Sequence, residues 1–285
     1  MIERLSIVGV GLIGGSLALA ARERGLVGEI VGYGRRRETL ELARKRGAID
    51  RIAATLPEAA AGADVVLLAA PVGSCAALAR ELRPHAPSNA LLTDVGSVKA
   101  PLVAELEAAW GAGAVVGAHP IAGSEQTTVA AARADLFVGR RCILTPTPRT
   151  RPDAVTTVRR LWEGVGALVE EMDAERHDAL LARVSHAPHL IAYALVDAVA
   201  SWTHGAEALA RAGSGFADTT RVAGSAPELW RDVLLANAPA VREALREFRQ
   251  SLAAMEAAIA AGDAAALEVA LERARAARGR LGGAS

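Results

Sequence analysis

Leu5-Ser6-Ile7-Val8-Gly9-Val10-Gly11-Leu12-Ile13-Gly14 runs from an apolar strand directly into G-x-G-x-x-G and on into a helical pattern. Each glycine has a separate use. Gly9 permits a tight turn, Gly11 lets the backbone approach a pyrophosphate, and Gly14 lets helix and strand pack closely. The helix that follows offers unpaired N–H groups and a positive dipole end to phosphates. Such glycines also serve tight turns that bind nothing; a strand before them and a second βα unit after them make this a dinucleotide fingerprint.

Working outward, strand-like runs alternate with helical stretches. The pattern predicts strands over Leu5–Gly9, Glu29–Tyr33, Val65–Ala69, Leu91–Asp94 and Ala114–Ala118, with helices of about ten residues between them. That alternation specifies a doubly wound α/β domain of Rossmann type, with a parallel sheet covered on both faces. Arg141–Thr145 reads as one more strand, and residues 1–150 are expected to form the dinucleotide-binding domain. From Pro152 the texture changes to long amphipathic patterns rich in Ala, Leu, Arg and Glu, with a short strand-like run at Ala167–Glu171. Residues 151–285 are therefore expected to form an all-α second domain, its tail Ala238–Arg278 a long helix broken at Gly262-Asp263.

Composition narrows the partners. The 285 residues carry 32 basic and 32 acidic side chains for a net charge of +0, which argues against a surface built to neutralise nucleic-acid phosphates. No apolar run reaches the eighteen or so residues of a membrane span, and the start lacks signal-peptide features; no membrane association and a cytoplasmic location are expected. Cys75 and Cys142 form neither a metal spacing nor a disulfide framework, so no metal is expected. The scarce residues are informative. There are 6 His, 4 Trp and two lysines, Lys45 and Lys99.

The end of the second strand selects the cofactor. NAD sites place an acid about twenty residues past the glycines to bind the ribose 2′-hydroxyl. Here Gly34-Arg35-Arg36-Arg37 stands there, with no acid until Glu38. A guanidinium fork suits a 2′-phosphate, which favours NADP over NAD; the alternative is an arginine triplet that is solvated surface. The expected cofactor contacts are Gly9, Gly11, Leu12, Ile13 and Gly14, then Gly34, Arg35 and Arg36, then Ala70 and Pro71 after the next strand.

Three clusters carry candidate chemistry. Asp94-Val95-Gly96-Ser97-Val98-Lys99 sits at the carboxyl end of a strand, where open α/β sheets bind ligands. Ser97 there is either a helix cap or a catalytic hydroxyl. Gly117-Ala118-His119-Pro120-Ile121-Ala122-Gly123-Ser124-Glu125 leaves the next strand, and His119 suits acceptance of a proton from a hydroxyl as hydride leaves the same carbon. The third cluster lies in the helical part: Ser185-His186-Ala187-Pro188-His189, then Phe216-Ala217-Asp218-Thr219-Thr220-Arg221, then Pro227-Glu228-Leu229-Trp230. Ser185 and His189, four apart, share a helix face, and Arg221 in a turn-like stretch offers a fork for a carboxylate.

Together, in this order and spacing, these motifs resemble the prephenate/arogenate dehydrogenase family of tyrosine biosynthesis, over about residues 1 to 280. The resemblance implies oxidative decarboxylation of a cyclohexadienol, prephenate or arogenate, in which hydride leaves C4, carbon dioxide leaves C1 and the ring becomes aromatic. It implies that His119 accepts the proton of the ring hydroxyl and that Ser97 contacts both. By the same resemblance Arg221 grips a substrate carboxylate, His189 binds substrate, Ser124 and Glu125 form the adjacent loop, and Ser185 and Asp218 support the site. Trp230 matches a substrate-site tryptophan that can approach from the partner subunit, and a homodimer is implied. Ala187 replaces a usual leucine, and Gln126-Thr127-Thr128 departs from the family's usual small residues. The length leaves no room for an appended regulatory domain, so any feedback by tyrosine is expected to act at the active site. Two other readings are a β-hydroxyacid or 6-phosphogluconate-type dehydrogenase, which expects a lysine in the helical domain, and a non-catalytic nucleotide-sensing module.

Overall fold

Val65-Val66-Leu67-Leu68 has no polar face, as a strand covered on both sides requires, and all four residues are buried. The structure, a computed structural model, describes residues 2–123, 126 and 128–282. The chain divides into two compact units, Met1–Ala238 and Pro239–Ser285.

In the first unit eight strands form one sheet: β1 Ile2–Val8, β2 Val27–Tyr33, β3 Arg51–Ile52, β4 Val65–Leu68, β5 Leu91–Asp94, β6 Val115–Pro120, β7 Arg141–Thr145 and β8 Leu168–Glu171. Their spatial order is β3-β2-β1-β4-β5-β6-β7-β8. The first six pair in parallel, in the order of a dinucleotide-binding sheet. The order reverses between β1 and β4, where Val8 pairs with Leu68, so the carboxyl ends of these two strands form the crevice in which such sheets bind ligands.

Three features differ from the sequence reading. The two-residue β3 and the short α3, Leu56–Ala60, are too brief to leave a periodic signal. Strand β7 returns antiparallel to β6, because the segment between them contains no crossover helix among the described residues, only a 3₁₀ turn at Val129–Ala131. The short strand expected within the helical part is β8, which pairs with β7, so the sheet runs on to Glu171 rather than ending near residue 150.

Helices α1 Leu12–Glu23, α2 Arg37–Lys45, α4 Val72–Leu82, α5 Ala100–Trp110 and α6 Pro152–Gly164 belong to this α/β part. Beyond the sheet come α7 Ala174–Leu181, α8 Ala187–Ala200, α9 Gly205–Ala210, α10 Ser214–Thr220 and α11 Pro227–Ala236. A π-helical turn, Ala182–His186, joins α7 to α8 just before Pro188, which has no N–H to continue a regular ladder. The resulting run Ala174–Ala200 is 27 residues with a mean hydropathy of 1.2 in its most apolar window. By length and composition alone it is long and apolar enough to cross a bilayer, contrary to the expectation from sequence. Its His177, Asp178 and His186 are nevertheless buried and hydrogen-bonded to other protein groups, as in a helix built around a polar site.

The tail is the broken helix that the sequence predicts: Gly262 takes a φ of +65°, ending α12, Ala238–Ala261, and the Asp263 carboxylate accepts from Ala266 N at 2.9 Å to start α13, Ala264–Arg278.

Candidate active site

The turn after β1 tests whether a dinucleotide fits. Gly9 has a φ of +102°, and a Cβ there would lie 2.3 Å from the Ala69 carbonyl oxygen. A Cβ on Gly14 would lie 2.4 Å from the Gly9 carbonyl. Both positions exclude a side chain, so backbone closes on backbone where β1 and β4 end. Gly11 is the N-cap of α1 without a side-chain cap, which leaves the first-turn N–H groups of Leu12, Ile13 and Gly14 for an anion. Ala70 and Pro71 form the facing wall between β4 and α4; the Cys75 thiol beneath them contacts the carbonyls of both, and burial pushes its pKa up to about 12. After β2, Gly34 leads to Arg35 and Arg36, which are exposed and form no ion pair among the described residues, whereas Arg37 pairs with Glu41. These residues fit a dinucleotide.

At the next two strand ends lies a buried charge pair. Lys99 Nζ donates to Asp94 Oδ2 and, at 2.9 Å, to the Ala118 carbonyl; both side chains are 0% exposed. Asp94 also accepts from Gly96 N at 2.7 Å and from Ala118 N at 3.2 Å. The motif's lysine and aspartate therefore tie β5 to β6 immediately before His119. Ser97, between them, is half-buried and does not cap α5: the N-cap is Lys99. The capping group comes from α7, where Asp178 accepts from Lys99 N and Ala100 N at 2.8 Å each. No hydrogen bond joins Ser97 to His119 among the described residues.

His119 itself lies within β6, paired with Ile143 of β7, rather than in a loop after the strand. Its Nδ1 is 2.8 Å from His177 Nε2, and His177 Nδ1 is 2.8 Å from Asp178 Oδ1. Burial holds the His119 pKa well below 6.5, reinforced by the charges of His177, Lys99 and His186, so its imidazole is neutral. His186, on the π turn, accepts at Nδ1 from Asn237 Nδ2 at 3.0 Å, and the same amide nitrogen donates to the Asp178 carbonyl at 2.9 Å. Burial lowers the His186 pKa to about 4.

A second group of motif residues meets around Trp230. His189 stacks on it with ring centroids 3.5 Å apart, and His186 meets it edge-on at 6.2 Å. Within one chain Trp230 therefore packs against both motif histidines. His189 Nδ1 faces the Ser185 carbonyl at 2.9 Å, so the four-residue spacing operates through Ser185's backbone. Burial lowers the His189 pKa, and the Arg221 charge adds to this, bringing Arg221 to the same group. Arg221 starts the 3₁₀ turn Arg221–Gly224, while Asp218 is exposed on α10. Ser124 and Glu125 lie outside the described residues.

Sequence reading passed over four contributors. His177 and Asp178 form an adjacent pair on α7, and the scarcity of histidine was the available signal. Asn237 carries none. Arg46, at the end of α2, donates to the carbonyls of Val129, Ala130 (2.8 Å) and Ala132 (2.7 Å), while Arg133 N bonds Ser16 Oγ at 3.0 Å. These bonds fasten residues 129–133 to the cofactor-side helices α1 and α2.

Residues 17–171 match the family model for the prephenate dehydrogenase nucleotide-binding domain, and residues 173–273 match the prephenate dehydrogenase dimerization domain. Cyclohexadienyl dehydrogenase of Zymomonas mobilis is 34% identical over 263 residues, covering 92% of this chain and 90% of that protein. The crystal structure of prephenate dehydrogenase from Aquifex aeolicus, in complex with hydroxyphenyl propionate and NAD+, superposes with a TM-score of 0.93 at 35% identity, covering 99% of each chain. Synechocystis arogenate dehydrogenase superposes with a TM-score of 0.84 at 30% identity over 98% of this chain and 100% of that one. The chain belongs to the prephenate dehydrogenase family of oxidoreductases.

Proposed function

We propose that this protein is a homodimeric, NADP-preferring dehydrogenase that oxidatively decarboxylates prephenate, arogenate or both. The observation that carries the reading is His119: a buried imidazole held neutral at the carboxyl end of β6, in the same sheet whose β1 and β4 ends form the dinucleotide crevice. Only a neutral ring can accept the ring-hydroxyl proton.

A bound nicotinamide supplies the hydride acceptor. His119 takes the C4 hydroxyl proton as the C4 hydrogen leaves with its electron pair. Loss of the C1 carboxylate as carbon dioxide then returns a pair to the ring, and the oxygen, now phenolic, recovers the proton. Arg221 and His189 hold the substrate's carboxylate end, and Ser97, Ser124, Glu125, Ser185 and Asp218 line or support the pocket. Because aromatisation drives the reaction, the side chains need mainly to position and to accept one proton. Gly9 to Gly14 hold the pyrophosphate, Ala70 and Pro71 wall the crevice, and Arg35 and Arg36 meet the 2′-phosphate.

The test is absorbance of the reduced nicotinamide with each substrate and each cofactor, for wild type and His119→Asn. Turnover of at least one substrate is expected, with a loss of roughly two to four decades in the variant and a modest change in KM. Unaltered turnover in His119→Asn overturns the assignment.

A further inference from the structure

His119 Nδ1, His177 Nε2, His177 Nδ1 and Asp178 Oδ1 form an unbroken buried line, with 2.8 Å between the atoms of each pair. Asp178 is the fixed end. Its two oxygens accept the N–H groups of Lys99 and Ala100 at the start of α5. A carboxylate can only accept, so His177 carries its proton on Nδ1. A ring with its single proton on Nδ1 presents a lone pair at Nε2. That lone pair requires His119 to donate from Nδ1, which leaves His119 Nε2 unprotonated. His119 Nε2 makes no hydrogen bond among the described residues.

We infer that His177 and Asp178 are positioning residues that select the Nε2-unprotonated tautomer of His119 and hold its ring plane, so that the nitrogen facing a substrate is the one able to take a proton. This rests on the reading of His119 as proton acceptor and adds what fixes the direction of acceptance. In water imidazole exchanges between two tautomers; here the choice is made by a helix N-terminus through a carboxylate and a second ring. The backbone supports the same alignment. His119 is set by β6 pairing, with the Lys99 bond to the neighbouring Ala118 carbonyl, and His177 is set by α7, whose N-cap Asp173 accepts from Arg176 N at 2.8 Å. When His119 becomes imidazolium, its Nδ1–H remains bonded to His177, and the chain of bonds ends on the Asp178 charge.

The experiment pairs kinetics with histidine nitrogen NMR on the isotope-labelled full chain. In wild type both His119 and His177 are expected to show pyrrole-type Nδ1 and pyridine-type Nε2; the reverse pattern in either ring overturns the inference without any reference to activity. His177→Phe keeps the ring's bulk and removes its acceptor. It is expected to lower kcat roughly 10- to 100-fold with KM changed little, and to let His119 populate its other tautomer. His177→Gln restores an acceptor near the Nε2 position and is expected to recover a large part of that loss, which simple packing does not explain. Wild-type kcat and tautomer in His177→Phe, alongside an inactive His119→Asn, sink the relay and leave the acceptor role intact. Wild-type turnover in His119→Asn sinks the acceptor role itself.

Discussion

His189 and Trp230 lie nearly parallel, their planes 21° apart and their ring centroids separated by 3.5 Å, although 41 positions separate them in the chain (230 − 189). The stack fixes one face of His189 while Ser185's carbonyl holds Nδ1, leaving Nε2 as the atom available to a ligand. Aromatic pairs of this kind contribute about 0.5–1.5 kcal/mol beyond burial. Trp230→Leu is therefore expected to raise the substrate KM by roughly 3- to 10-fold with kcat little changed, and Trp230→Phe to retain most of the affinity. Steady-state kinetics checks this; a wild-type KM in Trp230→Leu removes the stack from substrate binding.

Arg35 and Arg36 are exposed past β2, with no carboxylate bound to either among the described residues, so a 2′-phosphate meets two available guanidinium groups. A charged hydrogen bond contributes about 1.5–3 kcal/mol. Replacing both by serine is expected to raise the KM for NADP by about 10- to 100-fold and leave that for NAD nearly unchanged. A wild-type enzyme that prefers NAD, or a double variant with unaltered NADP affinity, contradicts this.

Lys99→Met tests the buried pair at the strand ends. The methionine fills the stem's space and leaves Asp94 without its cation, while the backbone donors of Gly96 and Ala118 remain. Removing one partner of a buried pair costs about 3–5 kcal/mol. A loss of unfolding free energy of that order, read from urea titration, is expected, together with lower turnover because Ala118 adjoins His119. Unchanged stability means that the pair does not hold β5 to β6.

Much of this was legible in sequence because it is local. Gly9 announces the first turn through a φ that favours glycine and Gly14 through an approach too close for a side chain, the buried parallel strands are unbroken apolar runs, and Gly262-Asp263 ends one helix and caps the next. The site's internal wiring was not legible, because it joins distant positions. Asp178 caps a helix that starts 78 residues earlier, and nothing at Ser97 or Lys99 signals that the cap arrives from elsewhere. His119 looked like a loop residue because Pro120 follows it; the β6–β7 pairing absorbs the proline in the strand's last position. Trp230 sits in a recognisable motif, yet its partner is decided by how α8 and α11 fold back in the same chain.

The histidines link acid to both stability and rate. Burial lowers the His186 pKa from 6.5 to about 4, and His119 and His189 are lowered as well. In the unfolded chain these rings take up protons near pH 6.5, whereas in the fold they stay neutral, so between those values the unfolded state binds more protons. Stability is therefore full above about pH 6.5 and declines as pH falls toward 4, with His186 alone accounting for about 3 kcal/mol. Urea midpoints measured down this range should fall steeply, and less steeply in His186→Asn. The rate should behave differently. Since His119 stays neutral well below its ordinary pKa, the acid limb of kcat/KM is expected clearly below pH 6.5, at pH values where stability is already declining. An acid limb centred at the ordinary histidine value means that His119 is not the group whose protonation limits the reaction.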